Sequence, residues 1–365
     1  MQLSRLVLAD FRNYRSLELE PAPGLNVFLG ANAQGKSNLL EAIAMLGTGK
    51  SFRTNKESDV VRAGAEIASV AGEAVVRAGT VRLTCSVAAT ARGTRKVYTI
   101  NGQGVRYASF LGRARVVTFV PADLHLVGGS PASRRGTLNV ALAQENPLYY
   151  RELARYQKTV VQKNALLKDD RPDQDLLAIY DHALVEAGTA LMLARAHYAG
   201  ALAIAAAEAH ARWSDRAETL QIAYRPNVPF EVPTRDGVAA AFEERLRERA
   251  DAERIRKIAL VGPHRDDLEL ALDGTSLAAY GSQGQQRTAV LALKVAEYAV
   301  MRDRTGEAPL LLLDDVLSEL DERRADAFLD GVGAYEQAFV TATHLPNRLA
   351  GARTWHVRAA TLTAA

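Results

Sequence analysis

Cysteine, tryptophan and methionine are scarce in this sequence. Its 365 residues include one cysteine, two tryptophans and four methionines. A single thiol, Cys85, excludes an internal disulfide and a cysteine metal cluster. Cys85 lies on the apolar side of the alternating segment Val81–Val87, which predicts a buried position in a strand. The sequence therefore excludes the classes of protein that depend on several cysteines.

Long apolar runs and a strong charge of one sign are also missing. No segment approaches the roughly 20 unbroken apolar residues that a membrane-spanning helix needs, and the N-terminus has no signal-peptide pattern. We therefore expect a cytoplasmic protein that does not cross a membrane. The net charge of +3 permits a nucleic-acid or phosphate partner but does not require one.

The most informative segment is the loop at residues 30–37, which matches the G-x-x-x-x-G-K-S/T phosphate loop at every constrained position. Its residues are Gly30, Ala31, Asn32, Ala33, Gln34, Gly35, Lys36 and Ser37. The apolar run 25–29 before it predicts a buried strand, and apolar residues at helical spacing follow it. In such a unit the loop N–H groups and the helix N-terminus bind the β- and γ-phosphates of a nucleoside triphosphate. Lys36 would add a positive charge and Ser37 would ligate Mg²⁺. The alternative, a glycine turn before an ordinary helix, is disfavoured by the matching flanks.

A second nucleotide motif is predicted near residue 314. Four leucines at 310–313 precede Asp314 and Asp315, as expected of a buried parallel strand whose carboxyl end meets the nucleotide. This is the form of a Walker B segment. Asp314 would hold Mg²⁺, and Asp315 would orient or deprotonate the attacking water. A buried strand followed by an acidic turn is the alternative for this segment taken alone.

A third group of motifs surrounds this strand. The segment Ser282, Gln283, Gly284 and Gln285 begins a predicted helix and resembles the signature motif of the ATP-binding-cassette (ABC) superfamily. Residues 318–321 resemble the D-loop of that superfamily, and His344, which follows the predicted strand 339–341, resembles its switch histidine. The order and spacing of the motifs agree with the superfamily.

Within that superfamily the chain resembles the RecF family of bacterial recombinational-repair proteins, which are related to the ATPase heads of SMC proteins. The matching segments span nearly the full length: 11–14, 30–37, 51–53, 119–124, 262–267, 281–288 and 314–321. Two segments depart from the family pattern, at 134–139 and 162–164. Asp123 lies where related ATPases often carry a Mg²⁺-contacting glutamine, and its role is open.

The resemblance implies an α/β fold: an ABC-type P-loop ATPase head, with a mixed sheet and an antiparallel β subdomain, plus an inserted mainly helical lobe without a long coiled coil. The expected ATPase lobe is 1–128 and 258–365. The expected insertion is 129–257, with an alanine-rich helix of about 30 residues ending near Trp213 that would be about 45 Å long.

The resemblance also implies a mechanism. The signature residues Ser282, Gly284 and Gln285 of one copy would bind the ATP held by the phosphate loop of another, so ATP would induce a homodimer. Lys36, Asp315 and His344 would be catalytic. Arg12 would contact the nucleotide, although an exposed surface arginine is the alternative at that position.

The implied function is that of an ATP-dependent DNA-binding clamp with weak, DNA-stimulated ATPase activity. It would act in recombinational repair of gaps and stalled replication forks and in the SOS response, with the mediators RecO and RecR as partners. The alternative is the energy-coupling ATPase of a membrane transporter, which shares the same motifs. The helical insertion and the missing glutamine disfavour the transporter. A P-loop kinase or GTPase would not account for the signature motif.

Overall fold

The structure, a computed structural model, describes residues 1–90, 93–214, 218–317, 320, 325–326, 328, 330, 335–345, 349 and 351–364. In this part of the chain the strands form three sheets. Two of the sheets have six strands each and enclose the helix that follows the phosphate loop. The third has three strands and lies at the junction with the helical insertion.

The sheet that carries the nucleotide motifs has the order β15-β14-β3-β13-β12-β8 and is parallel except for β15. Its strands are β3 (Gly24–Leu29), β8 (Val116–Phe119), β12 (Leu310–Asp314), β13 (Gln337–Ala342), β14 (Arg353–Arg358) and β15 (Thr361–Ala364). The strands predicted at 25–29, 310–314 and 339–341 are confirmed. Because they run parallel and are adjacent, the phosphate loop and the Walker B carboxylates meet at one edge of the sheet.

The second sheet is antiparallel, with the order β2-β1-β4-β5-β6-β7. Its strands are β1 (Gln2–Phe11), β2 (Tyr14–Leu19), β4 (Ile67–Val76), β5 (Gly79–Thr90), β6 (Gly93–Ile100) and β7 (Gln103–Val105). The predicted turn at Asn101 and Gly102 joins β6 to β7, and both residues have positive φ angles of 51° and 81°. Cys85 is buried in β5 as predicted.

Helix α1 (Lys36–Thr48) lies between these two sheets. The helical spacing of Leu39, Ile43 and Leu46 is confirmed, because all three side chains are at most 1% exposed. They pack in one apolar cluster with Phe28 of β3 and Leu312 of β12. This packing fixes the N-terminus of α1 at the carboxyl end of β3.

The insertion is mainly helical, as predicted. The remaining helices of the described residues are α2 (Tyr107–Phe110), α3 (Pro131–Glu145), α4 (Pro147–Leu166), α5 (Gln174–Trp213), α6 (Arg235–Arg256), α7 (Leu277–Tyr280) and α8 (Gln283–Thr305). Short 3-10 turns lie at Glu57–Val60, Pro121–His125 and Pro263–Arg265. No long coiled coil occurs among these elements.

Helix α5 is longer than expected. It has 40 residues, which corresponds to about 60 Å, where the alanine-rich pattern predicted about 30 residues. Asp173 caps it by accepting hydrogen bonds from the N–H groups of Asp175 and Leu176. The additional turns therefore lie at the N-terminal end, where polar residues hide the helical pattern.

By length and composition alone, α5 could also cross a membrane, with a mean hydropathy of 1.4 in its most apolar window. The helix has no unbroken run of about 20 apolar residues, however, because Glu186, Arg195 and Glu208 interrupt it. The helix packs against α4, α6, α8 and strand β9, and its Arg195 is buried in an ion pair with Asp266. These contacts are those of a core helix.

The third sheet joins the insertion to the rest of the chain. Strand β9 (Leu220–Arg225) lies within the insertion and pairs with β10 (Asp267–Leu272), which pairs with β11 (Thr275–Ser276). Apolar residues of the insertion and of the parallel sheet also share one core cluster. The division at residues 128 and 257 therefore stays a proposal, and the two lobes that it defines are joined by a continuous core.

Candidate nucleotide site

Helix α1 begins without a side-chain cap. Its N-cap residue is Gly35, and its first turn carries no acidic residue. The other helices longer than one turn begin with Ser130, Asn146, Asp173, Thr234 and Ser282, whose side chains accept a backbone N–H. The first N–H groups of a helix have no intrahelical acceptor. In α1 they remain available to an anion, and the helix dipole favours one.

Two glycines are required by the shape of the loop. Gly35 has a φ of 114°, which L side chains rarely adopt, and a Cβ there would lie 2.8 Å from Asn13 Nδ2. At Gly30 a Cβ would lie 2.4 Å from the carbonyl oxygen of Val357 in β14. Glycine is therefore required at position 35 by the left-handed backbone conformation and at position 30 by the close approach of the β14 backbone.

The loop is supported from both ends of the chain. Asn13 Nδ2 donates to the carbonyl of Gln34 at 3.2 Å and the Tyr14 hydroxyl donates to that of Gly35 at 3.2 Å. From the other side, the N–H of Ala360 donates to the carbonyl of Gln34 at 3.1 Å, and that of Ala359 donates to Gln34 Oε1 at 2.8 Å. These contacts fix the backbone of the loop at Gln34 and Gly35, and a preorganised binding loop loses less entropy when a ligand binds.

The Lys36 ammonium lies inside the loop. Its Nζ donates to the carbonyl oxygens of Gly30 at 2.5 Å and Ala31 at 2.9 Å. Burial lowers the pKa of Lys36, and the negative charges of Asp315 and Asp314 partly offset this effect. The structure therefore brings together Lys36 and the two Walker B carboxylates, as predicted from separate segments of the sequence.

Thr341 connects the two carboxylate residues and was not predicted to do so. Its Oγ1 donates to Asp314 Oδ1 at 2.9 Å and accepts from the N–H of Asp315 at 2.8 Å. Asp315 has a φ of 53°, a left-handed conformation that is uncommon for a residue other than glycine and is concentrated at functional sites. The available sequence signal was a polar residue near the end of the otherwise apolar strand 338–342.

The residues predicted to hold Mg²⁺ fit that role. Asp314 is 7% exposed and has no ion-pair partner within 4 Å among the described residues. Buried carboxylates are usually paired or coordinate a metal. Ser37 lies in the first turn of α1. The described residues include no cluster of three or more metal-binding side chains, so a magnesium ion here would take its other ligands from phosphate and water.

The signature segment is shaped by a capping box at the start of α8. Ser282 Oγ accepts from the N–H of Gln285 at 3.2 Å, and Gln285 Oε1 accepts from the N–H of Ser282 at 2.9 Å. Gln285 Nε2 also donates to Glu218 Oε1 at 2.7 Å. Ser282 is exposed and Gly284 half-buried. The Gln285 side chain is therefore committed within the chain, and its predicted contact with nucleotide stays a prediction.

The hydrogen bonds of the signature segment are made with residues other than those of the phosphate loop. No hydrogen bond or ion pair joins the two segments in the part of the chain that the structure describes. His344 is exposed two residues beyond the end of β13. Of the predicted D-loop, residues 318, 319 and 321 lie outside the described residues. The phosphate loop and the Walker B carboxylates are therefore the predicted nucleotide motifs that the structure brings together within one chain.

Arg12 is held beside the loop by a carboxylate. Its Nε donates to Glu41 Oε2 at 2.9 Å and its other donors reach Glu41 Oε1 and the carbonyl of Asp59. Glu41, in α1, is fully buried and also accepts from Ser51. The guanidinium thus anchors the β1–β2 turn to α1, and a contact between Arg12 and nucleotide stays a prediction.

Two arginines at the start of α3 make contacts within the chain. Arg134 forms a two-point ion pair with Asp267 at 2.7 and 2.8 Å and donates to three carbonyl oxygens. Arg135 donates to the carbonyl of Asp266. The Arg134 side chain is therefore engaged within the fold.

Asp123 has a clear role in the structure. It lies in the turn Pro121–His125 after β8 and pairs with Lys294 of α8, with 3.4 Å between Oδ2 and Nζ. Lys294 also pairs with Glu297 at 3.1 Å. The turn that follows β8 is therefore connected to α8, the helix that begins at the signature segment, through the charge of the buried Lys294.

Comparison with known proteins places this geometry in a family. The model of the RecF/RecN/SMC N terminal domain family matches residues 2–357. The DNA replication and repair protein RecF of Symbiobacterium thermophilum is 42% identical over 370 residues, covering 99% of this chain and 98% of that protein. The protein of the same name from Acaryochloris marina is 38% identical over 94% of this chain and 93% of its own length.

A solved structure gives the same result. The recombination mediator protein RecF with ATP, of the RecFOR pathway, superposes with a TM-score of 0.92 and 31% identity, covering 100% of this chain and 97% of that chain. The predicted resemblance and the predicted fold class are both confirmed. The chain therefore belongs to the RecF/RecN/SMC N-terminal domain family, and within it to the RecF proteins, with an ABC-type ATPase head and a helical insertion as its fold.

Proposed function

We propose that this chain binds ATP and Mg²⁺ and acts as an ATP-dependent DNA-binding clamp in recombinational repair of gaps and stalled replication forks and in the SOS response. The observation that carries the proposal is the uncapped N-terminus of α1, with Lys36 and two carboxylates beside it. This arrangement provides donors for phosphate and an acid for the metal in one place. The relatives named above, which are repair proteins, support the cellular role.

We assign the steps of hydrolysis to three side chains. Lys36 would release the carbonyls of Gly30 and Ala31 and bind the β- and γ-phosphates. Asp315 would orient the attacking water, and His344 would contact the γ-phosphate from the opposite side. Mg²⁺, held by Ser37 and Asp314, would neutralise the charge that develops on the phosphates. The expected activity is a weak ATPase that DNA stimulates.

The incomplete site supports ATP-induced dimerisation. Of the first N–H groups of α8, that of Gln285 is accepted by Ser282 Oγ, whereas those of Gln283 and Gly284 have no intrahelical acceptor. A γ-phosphate held by a second copy would satisfy these donors, and ADP would not. ATP would therefore favour the homodimer, and hydrolysis would release it.

DNA and the mediators RecO and RecR are the proposed partners. The solved RecF–ATP structure is described as part of the RecFOR pathway, which supports this assignment, and we place the protein in the cytoplasm. Because Arg134 is buried in an ion pair, the DNA contacts would come from other basic residues of the dimer. The RecF resemblance over the full chain favours this function over the transporter ATPase.

Sedimentation velocity with ATP, ADP or no nucleotide tests the dimer, and fluorescence anisotropy with labelled duplex and gapped DNA tests the clamp. We expect dimers with ATP only, and DNA binding that requires ATP and weakens with salt. Each neutralised phosphate contributes about −0.9 to the slope of log K against log salt. Equal DNA affinity with ATP, with ADP and without nucleotide would contradict the proposal of an ATP-dependent clamp. No measurable DNA affinity at low salt would favour the alternative, the ATPase of a membrane transporter.

A further inference from the structure

Tyr280 is unusual among the aromatic residues because it is 80% exposed. It is the last residue of α7 and lies two residues before Ser282. Its neighbour Leu277 is 1% exposed and anchors the turn. A tyrosine ring exposes a large apolar area to water, and tyrosine is enriched in protein interfaces because one end is apolar and the other polar.

The turn that carries Tyr280 is held in place by backbone contacts. Gln286 Nε2, from the second turn of α8, donates to the carbonyls of Leu277 and Gly281 at 3.1 Å each. The N–H of Gly281 also donates to the carbonyl of Leu277 at 3.0 Å. The backbone on either side of Tyr280 is therefore held in place relative to Ser282, so little backbone entropy would be lost if a partner bound it.

The exposed residues next to Tyr280 in the sequence are uncharged. We define the signature face as Ala278, Ala279, Tyr280, Ser282 and Gln283, all of which are exposed. Tyr280 is its only large side chain. Alanine and serine allow the backbone of a partner to approach closely, and the centre of a protein interface is depleted in charge. A surface of this composition fits a partner that is also uncharged at the point of contact.

The phosphate loop has a rim with matching properties. We define the loop rim as Ala31, Asn32 and Ala33, which are exposed and uncharged. The residues that follow the rim, Gln34 and Gly35, are held by Asn13, Tyr14 and the 359–360 turn. In the proposed dimer, the signature segment of one copy closes on the loop of the other.

We propose that Tyr280 is an anchor residue of the interface with a second copy of this chain, where it packs on the loop rim of that copy. This inference rests on the proposed ATP-dependent dimer and adds a specific contact to it. Tyr280 then contributes binding area beside the nucleotide, which makes dimer stability depend on a side chain outside the nucleotide motifs.

The first test is Tyr280→Ala in the full chain, measured by sedimentation velocity with ATP. Each dimer contains two copies of Tyr280, and an anchor that contributes a little over one kcal/mol per copy corresponds to an increase in the dimer Kd of about 30-fold. Tyr280→Phe keeps the ring and should stay within about threefold of the unmodified chain. ATP binding by the dilute monomer should not change, because its own phosphate loop is intact.

The matched control is Ile255→Ala, since Ile255 is 82% exposed on α6. An unchanged dimer Kd for Tyr280→Ala overturns the proposal and leaves the ATP-dependent dimer standing. If the unmodified chain stays monomeric with ATP, both the ATP-dependent dimer and the role of Tyr280 are wrong. Equal weakening by Ile255→Ala and Tyr280→Ala also overturns it, because the effect would then not be specific to the signature face.

Cross-linking tests the position of Tyr280. The only native thiol, Cys85, is 1% exposed, so introduced cysteines can be modified selectively. One preparation carries Asn32→Cys and a second carries Ala279→Cys, which keeps Tyr280 and lies next to it on the signature face. The two are mixed with a short bis-maleimide, and we expect a covalent dimer with ATP and none with ADP. A yield no higher than that with Ile255→Cys in place of Ala279→Cys overturns the proposal.

Discussion

Replacing Lys294 by methionine should destabilise the fold more than any other single change in its charge cluster. Lys294 is 4% exposed in α8 and is shared between Asp123 at 3.4 Å and Glu297 at 3.1 Å. Methionine is similar in length, so the change removes the charge and leaves little cavity. The buried carboxylate of Glu297 and the half-buried one of Asp123 then remain without this counter-charge.

The expected loss follows from this imbalance. Removing one partner of a buried ion pair typically costs about 3–5 kcal/mol of unfolding free energy. Asp123→Asn should cost less, about 1–2 kcal/mol, because the Lys294–Glu297 pair survives and the amide can still accept from the N–H of Val120. Lys158→Met, at an exposed position of α4, should change stability by less than about 0.5 kcal/mol and serves as the control.

The loss should also depend on pH. Burial raises the pKa of Glu297, and the positive charge of Lys294 partly offsets this. In Lys294→Met that offset is absent, so the pKa of Glu297 rises further. A carboxyl group whose folded pKa is raised stabilises the folded state below its unfolded pKa, and this contribution is lost as the pH rises through the folded pKa. The substitution should therefore lower the free energy of unfolding more at pH 8 than at pH 5.

Urea unfolding followed by circular dichroism at the two pH values measures this difference. A loss from Lys294→Met no larger than that from Asp123→Asn would refute the charge-imbalance argument. A larger penalty at pH 5 than at pH 8 would show that the two carboxylates are not the source of the destabilisation.

Further predictions concern the nucleotide site. Lys36→Met should abolish hydrolysis and greatly weaken ATP binding, and a normal turnover rate would reject the phosphate-loop assignment. Ser282→Arg should bind ATP but stay monomeric in sedimentation, because it places bulk on the signature helix and leaves the phosphate loop intact; normal ATP-induced dimers would reject the signature role. Asp315→Asn should bind ATP without hydrolysing it and accumulate as the dimer, and rapid ATP turnover by this variant would show that another group acts as the catalytic base. Thr341→Val should lower the rate of hydrolysis by about 10-fold with little change in ATP affinity, and a change in affinity alone would show that Thr341 does not position Asp315.

The strands and loops of the ATP site could be predicted from the sequence because their determinants are local. The phosphate loop needs glycine where the backbone is left-handed or closely approached, and those requirements appear directly as Gly30 and Gly35. The buried parallel strand β12 is an unbroken apolar run, which is a strong pattern over a short length. Helix α1 follows from the spacing of its apolar residues.

The supporting contacts could not be predicted because they join distant segments. Thr341 and the Ala359–Ala360 turn reach the site only through the order of strands in the parallel sheet. Nothing in the local sequence marks two alanines with φ angles of 46° and 60° as the residues that hold Gln34. Similarly, Arg134 could not be assigned to an ion pair, since its partner Asp267 lies in a strand after the insertion.

The two helix N-termini of the proposed composite site differ in a way that bears on its strength. The start of α1 has no competing side-chain cap, so binding of phosphate there replaces only water and the contacts of Lys36 with its own loop. The start of α8 is already capped, because Ser282 and Gln285 satisfy each other. A phosphate that binds at α8 must replace the hydrogen bonds of this cap. The free energy gained is therefore only the difference between the new and the replaced hydrogen bonds, and each net hydrogen bond contributes only about 0.5–1.5 kcal/mol. One chain should therefore bind ATP through α1 alone, and the association of two chains through α8 should be weak enough that loss of the γ-phosphate reverses it.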